Sequence, residues 1–142
     1  MNFSTVVAMV GCLAVMGSAE AVSQAPKHPS KFSVEYERCM DASRGVTVAM
    51  RDCNLAEDTR LEGLLNRTYA EVLKAMHSPL ETRAMHDAER AWVNYRKAQC
   101  DLSEVQIGGT LGQVANDDCY LDMAVDRISF LKDYALDQQG NQ

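Results

Sequence analysis

Apolar side chains recur at steps of three and four residues through the middle of the chain, and charged side chains fill the positions between them. This spacing places the apolar residues on one face, so it predicts a long amphipathic helix. Thr47 can cap its start. Ser78-Pro79 ends it, because proline disfavours helical geometry at the residue before it. The positions on the apolar face are Met50, Leu61, Leu64, Leu65, Thr68, Tyr69, Val72, Leu73 and Met76.

Three further helices are predicted from shorter versions of the same pattern. The first ends near Ser43, and the third runs from about Leu80 to Asp101. The fourth starts near Asp117 or Asp118, because acidic residues suit a helix N-terminus. Residues 102–116 contain three glycines and little periodicity, so we expect a loop there. The apolar positions are Phe32, Val34, Tyr36 and Met40; then Met85, Ala88, Trp92, Tyr95 and Ala98; and finally Leu121, Ala124, Val125, Ile128, Leu131 and Tyr134.

The connection at Ser78-Pro79 is short, which predicts that successive helices pack antiparallel around one core. Only 6% of the residues are aromatic, so that core must consist mainly of Leu, Val, Ala and Met, a set that suits helices better than strands. A chain of 142 residues leaves room for one domain. The sequence therefore predicts an all-α fold, a small antiparallel bundle of about four helices.

The N-terminal residues are predicted to lie outside this fold. Val6–Met16 is an apolar run too short to span a bilayer, and Ala19-Glu20-Ala21 has the pattern of a signal-peptidase site. The protein is expected to be periplasmic or secreted. Acylation at Cys12 is a weaker alternative, because Met9 fits a lipobox poorly. The predicted segments are a signal peptide over 1–21, a flexible leader over 22–33, the helical domain over 34–136 and a frayed tail over 137–142.

Four cysteines remain once the predicted signal peptide is removed. An even number in a small exported chain implies disulfides. Spacing alone leaves three pairings open. Turn-forming residues lie between Cys39 and Cys53, and glycines lie between Cys100 and Cys119, which favours these two pairs. Neither a CxxC nor an HxxxH spacing occurs, so we expect no metal site and no cofactor.

Acidic residues outnumber basic residues by 20 to 14, which gives a net charge of -6. A protein that binds nucleic acid needs a basic surface, so this charge argues against such a partner. An acidic surface favours cationic partners and speeds their encounter. Mild acidity can equally serve solubility alone.

The sequence contains no recognisable catalytic pattern. It has no GxSxG, phosphate-binding loop or HExxH, and it brings together no nucleophile, base and oxyanion site, so we do not expect an enzyme. In the string Ala88–Cys100, a stacking patch for a ligand could be formed by Trp92, Tyr95 and Arg96. The favoured interpretation places both aromatic residues in the core, with Arg96 reaching a carboxylate such as Glu57.

A set of short sequence motifs extends from residue 36 to residue 131. Its pieces are Tyr36, Cys39, Thr47, Met50, Cys53, Glu57, Leu65-Asn66, Tyr69, the string Ala88–Cys100, Gly108-Gly109, Cys119 and Arg127. In order and spacing they resemble the lysozyme-inhibitor LprI-like N-terminal domain family, a group of exported bacterial proteins. The resemblance implies an α-helical domain that acts at the cell envelope, uses no cofactor and binds a protein partner, a cationic lysozyme or another cell-wall hydrolase.

The glycine-rich segment 102–116 is the predicted contact region. Lysozymes carry two catalytic carboxylates in a cleft, and a loop tethered by Cys100–Cys119 could enter that cleft at a low entropic cost. Thr110 and Gln113 are expected to hydrogen-bond the catalytic acids, while Asp117 and Asp118 meet cationic residues at the rim. An ordinary helix connection is the alternative. The candidate partner-binding residues are Gly108, Gly109, Thr110, Gln113, Asp117 and Asp118.

Two other functions fit the same sequence. The protein could neutralise one delivered toxin as an immunity protein, and a toxin gene next to its own would favour that hypothesis. It could also be a structural envelope protein that binds no hydrolase. The resemblance favours the inhibitor.

Overall fold

The computed structural model of the protein describes residues 30–140, with side chains up to residue 137. The predicted signal peptide, the alternative acylation site at Cys12 and most of the predicted leader lie outside the described residues. Residues 141 and 142 of the predicted tail also lie outside them.

Four α-helices and no strand form the described part of the chain. Helix α1 comprises Val34–Ser43, α2 comprises Thr47–Ala75, α3 comprises Pro79–Ile107 and α4 comprises Gly109–Gly140. The prediction of an all-α fold with about four helices is therefore confirmed. Between residues 30 and 140, no helix has the length and apolar character needed to cross a membrane.

Serine residues cap two of the helices. The Ser33 hydroxyl oxygen accepts a hydrogen bond from the backbone N–H of Tyr36 at 3.1 Å and so caps α1. The Ser78 hydroxyl oxygen does the same for Leu80 at 3.2 Å at the start of α3. Pro79 is the first residue of α3. The first N–H groups of a helix have no acceptor within it, so proline, which lacks this N–H, costs no hydrogen bond there. These local signals explain why the junction between α2 and α3 was predictable.

The start of α2 differs from the prediction. Thr47 is the first helical residue, and the capping position belongs to Val46, which makes no side-chain capping hydrogen bond. Thr47 therefore does not cap α2, although the helix starts where the sequence placed it.

Helix α4 lies in the middle of the bundle. It packs along both α2 and α3, whereas α2 and α3 share few backbone contacts, and α1 packs on the first half of α2. Successive helices are antiparallel, so α2 and α4 run parallel. Arg51 near the start of α2 accordingly meets Asp117 near the start of α4. The buried core consists of Tyr36, Cys53, Leu61, Leu65, Val72, Met85, Leu121, Ala124, Ile128 and Leu131.

Two disulfides join neighbouring helices in the predicted pairing. Cys39–Cys53 links α1 to α2 with a Cα–Cα distance of 5.7 Å, and Cys100–Cys119 links α3 to α4 with a distance of 5.5 Å. Each bond connects residues that are close in sequence, with separations of 14 and 19. Each disulfide therefore stabilises a single helical hairpin, chiefly because it restricts the conformations of the unfolded chain.

The loop predicted over residues 102–116 does not exist in the structure. Helix α3 continues to Ile107, the single residue Gly108 makes the turn, and α4 begins at Gly109 rather than near Asp117. Gly108 and Gly109 have φ angles of 73° and 60°, a backbone region that other residues rarely adopt. These two glycines end one helix and start the next, as a turn requires.

The third glycine of this segment, Gly112, has a different purpose. A Cβ atom at Gly112 would lie 2.6 Å from the backbone oxygen of Glu104 in α3. The missing side chain therefore lets α3 and α4 approach closely beyond the Cys100–Cys119 disulfide. The loop prediction was wrong because it took a packing glycine for a helix-breaking one.

The buried side of α3 also differs from the predicted one. Its fully buried residues are Met85, Arg96 and Cys100, and Trp92 is half-buried against the core. The buried face thus includes a charged residue, which an apolar pattern cannot identify. The residues predicted to be apolar core but found exposed are Ala88, Tyr95 and Ala98.

Both ends of the domain extend past the predicted limits of 34 and 136. Phe32 packs against the core, and Lys31 forms an ion pair with Asp122 at 2.7 Å. Helix α4 continues to Gly140. The last residues of the predicted leader and the first residues of the predicted tail thus belong to the helical domain.

We expect Gly112→Ala to lower the free energy of unfolding by about 1–3 kcal/mol, because the new methyl group would meet the backbone of Glu104. The better helix propensity of alanine, worth about 1 kcal/mol, offsets only part of this loss. Urea unfolding with both disulfides intact measures the difference.

Gly63→Ala in α2 is the matched control. Its Cβ would lie 3.5 Å from the flexible end of Arg67, an ordinary contact. We expect this variant to gain up to about 1 kcal/mol from helix propensity. A Gly112→Ala protein that is as stable as the wild type would contradict the close approach of α3 and α4.

Candidate partner-binding groove

A groove of about 490 Å³ lies between the first turns of α2 and α4, and we call it the α2–α4 groove. It brings together three of the predicted contact residues, Thr110, Gln113 and Asp117. The α2 side of the groove was not predicted. The groove is lined by Thr47, Val48, Arg51, Asp52, Asn54, Leu55, Asp58, Thr110, Gln113 and Asp117.

Arg51 crosses the groove from α2 to α4. Its Nε donates a hydrogen bond to Asp117 Oδ2 at 2.7 Å, and its Nη1 donates to Gln113 Oε1 at 2.9 Å. The hydrogen bond and the charge of Asp117 raise the pKa of Arg51, and the charges of Glu104 and Asp52 add to this effect. The Arg51 side chain is nevertheless 44% exposed. One guanidinium thus lies at the surface among several acceptors.

The rim of the groove is apolar and acidic. Val48 and Leu55 are 66% and 67% exposed, although both are large apolar residues on α2. Between them lies Asp52, which is also exposed. Burial raises the pKa of Asp58 at the inner end of the groove, and the nearby Arg96 opposes that shift. The surface therefore combines apolar area with carboxylates.

The remaining predicted contact residues do not line the groove. Gly108 makes the turn at the end of the bundle, and Gly109 is the first residue of α4, next to exposed Thr110. Asp118 accepts a hydrogen bond from Asn54 Nδ2 at 2.8 Å, and burial raises its pKa. Asp118 therefore belongs to the interior packing rather than to the exposed surface.

A buried polar chain behind the groove fixes the positions of three helices. The Tyr36 hydroxyl of α1 donates to Asn54 Oδ1 of α2 at 3.0 Å, and Asn54 in turn donates to Asp118 of α4. Burial, followed by the charge of Asp118, raises the pKa of Tyr36. Asn54 was not among the residues predicted from the sequence. Its place beside Cys53 and seven residues before Leu61, on the buried face of α2, was an available signal.

Arg96 of α3 fills the space between the helices at the inner end of the groove. It is only 6% exposed and donates to the backbone oxygen of Tyr120 at 2.9 Å. It also pairs with Asp58 at 3.3 Å and with Glu62. Arg96 thus reaches carboxylates, as predicted, but these are Asp58 and Glu62 rather than the example named from the sequence, Glu57.

Trp92 is neither a fully buried core residue nor an open ligand platform. Two guanidinium groups lie over its ring, with Arg96 at 5.3 Å and Arg127 at 5.5 Å from the ring centroid. Arg127 is held in turn by Glu89 at 2.7 Å. Because these groups and the core already contact the partly buried ring, the structure does not support the stacking-patch interpretation at Trp92. Tyr95 is exposed.

The groove provides acceptors, one guanidinium and apolar area, which is the chemistry of binding. Within residues 30–137, no three His, Cys, Asp or Glu side chains are placed to hold a metal ion. His86 Nδ1 contacts the hydroxyl of Tyr69 at 2.7 Å, outside the groove. These features define a disulfide-linked helical bundle with an acidic groove at one end.

A model of the lysozyme inhibitor LprI family matches residues 39–131, more than half of the chain. The chain therefore belongs to this family, which is a family of inhibitors rather than of enzymes. The match includes both disulfides and every residue that lines the α2–α4 groove. No curated protein and no solved structure gave a match to the chain.

Glu57 ties the start of α1 to α2. It accepts hydrogen bonds from the backbone N–H of Ser33 at 2.9 Å, from the Ser33 hydroxyl at 2.7 Å and from Arg60 at 2.6 Å. Burial alone would raise the pKa of Glu57, but these donors outweigh it and hold the pKa at about 2, below the ordinary value of 4.5. The charged form is therefore the one that the folded protein favours.

This shift predicts a pH-dependent contribution to stability. A carboxylate whose pKa is lower in the folded state stabilises the fold above its unfolded pKa and loses that effect as the pH falls to the folded value. We expect the wild type to be more stable than Glu57→Gln at pH 7, where the difference in unfolding free energy has its largest value. This difference should shrink as the pH falls from 4.5 to about 2.

Chemical unfolding of both proteins at several pH values measures this difference. Glu71→Gln, which changes an exposed glutamate on the same helix, should leave stability nearly unchanged throughout. A Glu57→Gln difference that stays constant down to pH 2 would exclude the proposed hydrogen-bonded carboxylate.

Proposed function

We propose that this protein is an exported inhibitor of a cationic lysozyme or a related cell-wall hydrolase, and that it binds its target through the α2–α4 groove. The observation that carries the proposal is the family match over residues 39–131, because the family is named for lysozyme inhibition. All residues of the groove lie inside the matched segment.

The chemistry of the groove supports a basic protein partner. Asp52, Asp58 and Asp117 line it together with the single cation Arg51. The whole chain carries a net charge of -6, so it would attract a cationic enzyme at long range. Val48 and Leu55 add exposed apolar area beside these charges. Stable protein interfaces combine the same two components, an apolar centre and a polar rim.

The one-residue turn at Gly108 changes the proposed mode of contact. The tip of the α3–α4 hairpin is helical on both sides, so it would dock as a preformed element instead of inserting as a flexible loop. A preformed element pays little ordering entropy on binding. Thr110 and Gln113 remain proposed contacts, now presented by the first turns of α4. Asp118 does not, because Asn54 engages it inside the bundle.

Export is part of this proposal. Disulfides persist in oxidising compartments such as the bacterial periplasm, and this domain holds two of them. The predicted signal peptide over residues 1–21 and the predicted cleavage after Ala21 agree with that location. A hydrolase of the cell wall would be met in the same compartment.

We expect the double variant Asp52→Asn with Asp117→Asn to inhibit a hen-type lysozyme about tenfold more weakly, because it removes charge that attracts the enzyme and an acceptor that contacts it. Binding by the wild type should also weaken as salt rises, because the attraction is screened over a Debye length of about 8 Å at physiological ionic strength. Lysis assays and association kinetics at two salt concentrations measure these effects.

The matched control is Asp126→Asn with Asp133→Asn, which removes two exposed carboxylates farther along α4. It alters the net charge equally and should change inhibition little. Equal loss in both double variants would show that net charge acts and the groove does not. If the wild type inhibits no hen-type or bacterial wall hydrolase at micromolar concentration, the inhibitor proposal fails and the immunity or structural hypothesis replaces it.

A further inference from the structure

The acceptors on the α4 side of the groove already hold a cation of this chain. Arg51 donates one hydrogen bond from its Nε to the carboxylate of Asp117 and another from its Nη1 to the amide oxygen of Gln113, at 2.7 and 2.9 Å. Two diverging N–H groups of one planar guanidinium thus meet two acceptors on one helix. The two acceptors therefore form a guanidinium seat, defined here by Asp117 and Gln113.

The fold does not need Arg51 in this seat. Its side chain is nearly half exposed, and exposed ion pairs contribute little to stability because water solvates both partners well. Behind it, the buried hydrogen bond from Asn54 to Asp118 already joins α2 to α4 at 2.8 Å. The Arg51 side chain can turn into solvent while the two helices keep their positions.

We infer that Arg51 is a displaceable placeholder, and that an arginine of the partner takes its place on Asp117 and Gln113 when the complex forms. This inference rests on the proposed function and names the chemistry of the group that the groove receives. The incoming arginine would pass Val48 and Leu55, whose exposed side chains can pack against its aliphatic stem. Asp52 and Glu104, whose charges act on Arg51, would act on the incoming guanidinium as well.

The exchange has two consequences. Arg51 competes with the partner for the seat, so its presence weakens binding and its removal strengthens it. The seat also favours a guanidinium over an ammonium group, because the planar guanidinium carries donors on separate nitrogens that meet both acceptors at once, whereas an ammonium is a single compact charge. A residue that itself contacted the partner would give the opposite result, since its removal would weaken binding.

The test replaces Arg51 in the full chain and measures binding to a hen-type lysozyme and to a tetra-arginine peptide. We expect Arg51→Gln to bind both about 2- to 5-fold more tightly, the effect of removing one exposed competing ion pair. Its preference for tetra-arginine over tetra-lysine should exceed that of the wild type. Adding Asp117→Asn to Arg51→Gln should abolish the gain. Arg51→Met serves as a second variant if the glutamine variant unfolds.

Arg90→Gln is the matched control, because Arg90 is an exposed arginine that pairs with Asp87 on α3, away from the groove. It changes the net charge by the same amount, so any gain it shares with Arg51→Gln comes from charge alone. Equal binding by these two variants, or weaker binding by Arg51→Gln, would overturn the inference. If tetra-arginine shows the gain while no hydrolase is bound by any variant, the guanidinium seat stands and the inhibitor proposal fails.

Discussion

Helix α4 packs between α2 and α3, and the close approach of α3 and α4 at Gly112 fixes where it lies. Without a side chain at Gly112, the backbones of the two helices meet beside Glu104, and the Cys100–Cys119 disulfide holds the same hairpin a short distance away. The turn can then consist of Gly108 alone. Because α4 also packs along α2, this hairpin geometry decides where the first turns of α2 and α4 face each other.

Arg96 closes the inner end of the α2–α4 groove, where α2 and α3 share few backbone contacts. Long polar side chains span the space between α2 and α3 at this point. Arg96 of α3 reaches Asp58 and Glu62 of α2, and its guanidinium also stacks on Trp92. Leaving a buried guanidinium unpaired is costly. The contacts of Arg96 therefore fix the spacing between α2 and α3, and its side chain fills the space between them. Beyond this cluster, Arg51 occupies the acceptors Asp117 and Gln113 at the surface of the groove.

Sequence patterns predicted the elements whose signals are local. The 3.6-residue period, the Ser78-Pro79 junction and the placement of turn residues between cysteines gave the helices and both disulfides. The contacts that depend on three dimensions were not predictable in this way. A glycine can break a helix or let two helices pack closely, and the sequence alone does not show which of these Gly112 does. Arg96 is a charged residue on the buried face of α3, so it interrupts the apolar pattern of that face. Arg51 lies 66 residues from Asp117, so no local pattern could join the two sides of the groove.

Hydrogen–deuterium exchange of the protein with and without a bound lysozyme maps the contact surface without any substitution. If the enzyme binds in the groove, exchange should slow at the two segments that form it, 47–58 in α2 and 108–117 at the start of α4. Exchange in the second half of α4, from residue 126 onward, should stay unchanged. Protection confined to that second half, with both groove segments unaffected in a complex that inhibits the enzyme, would contradict the account.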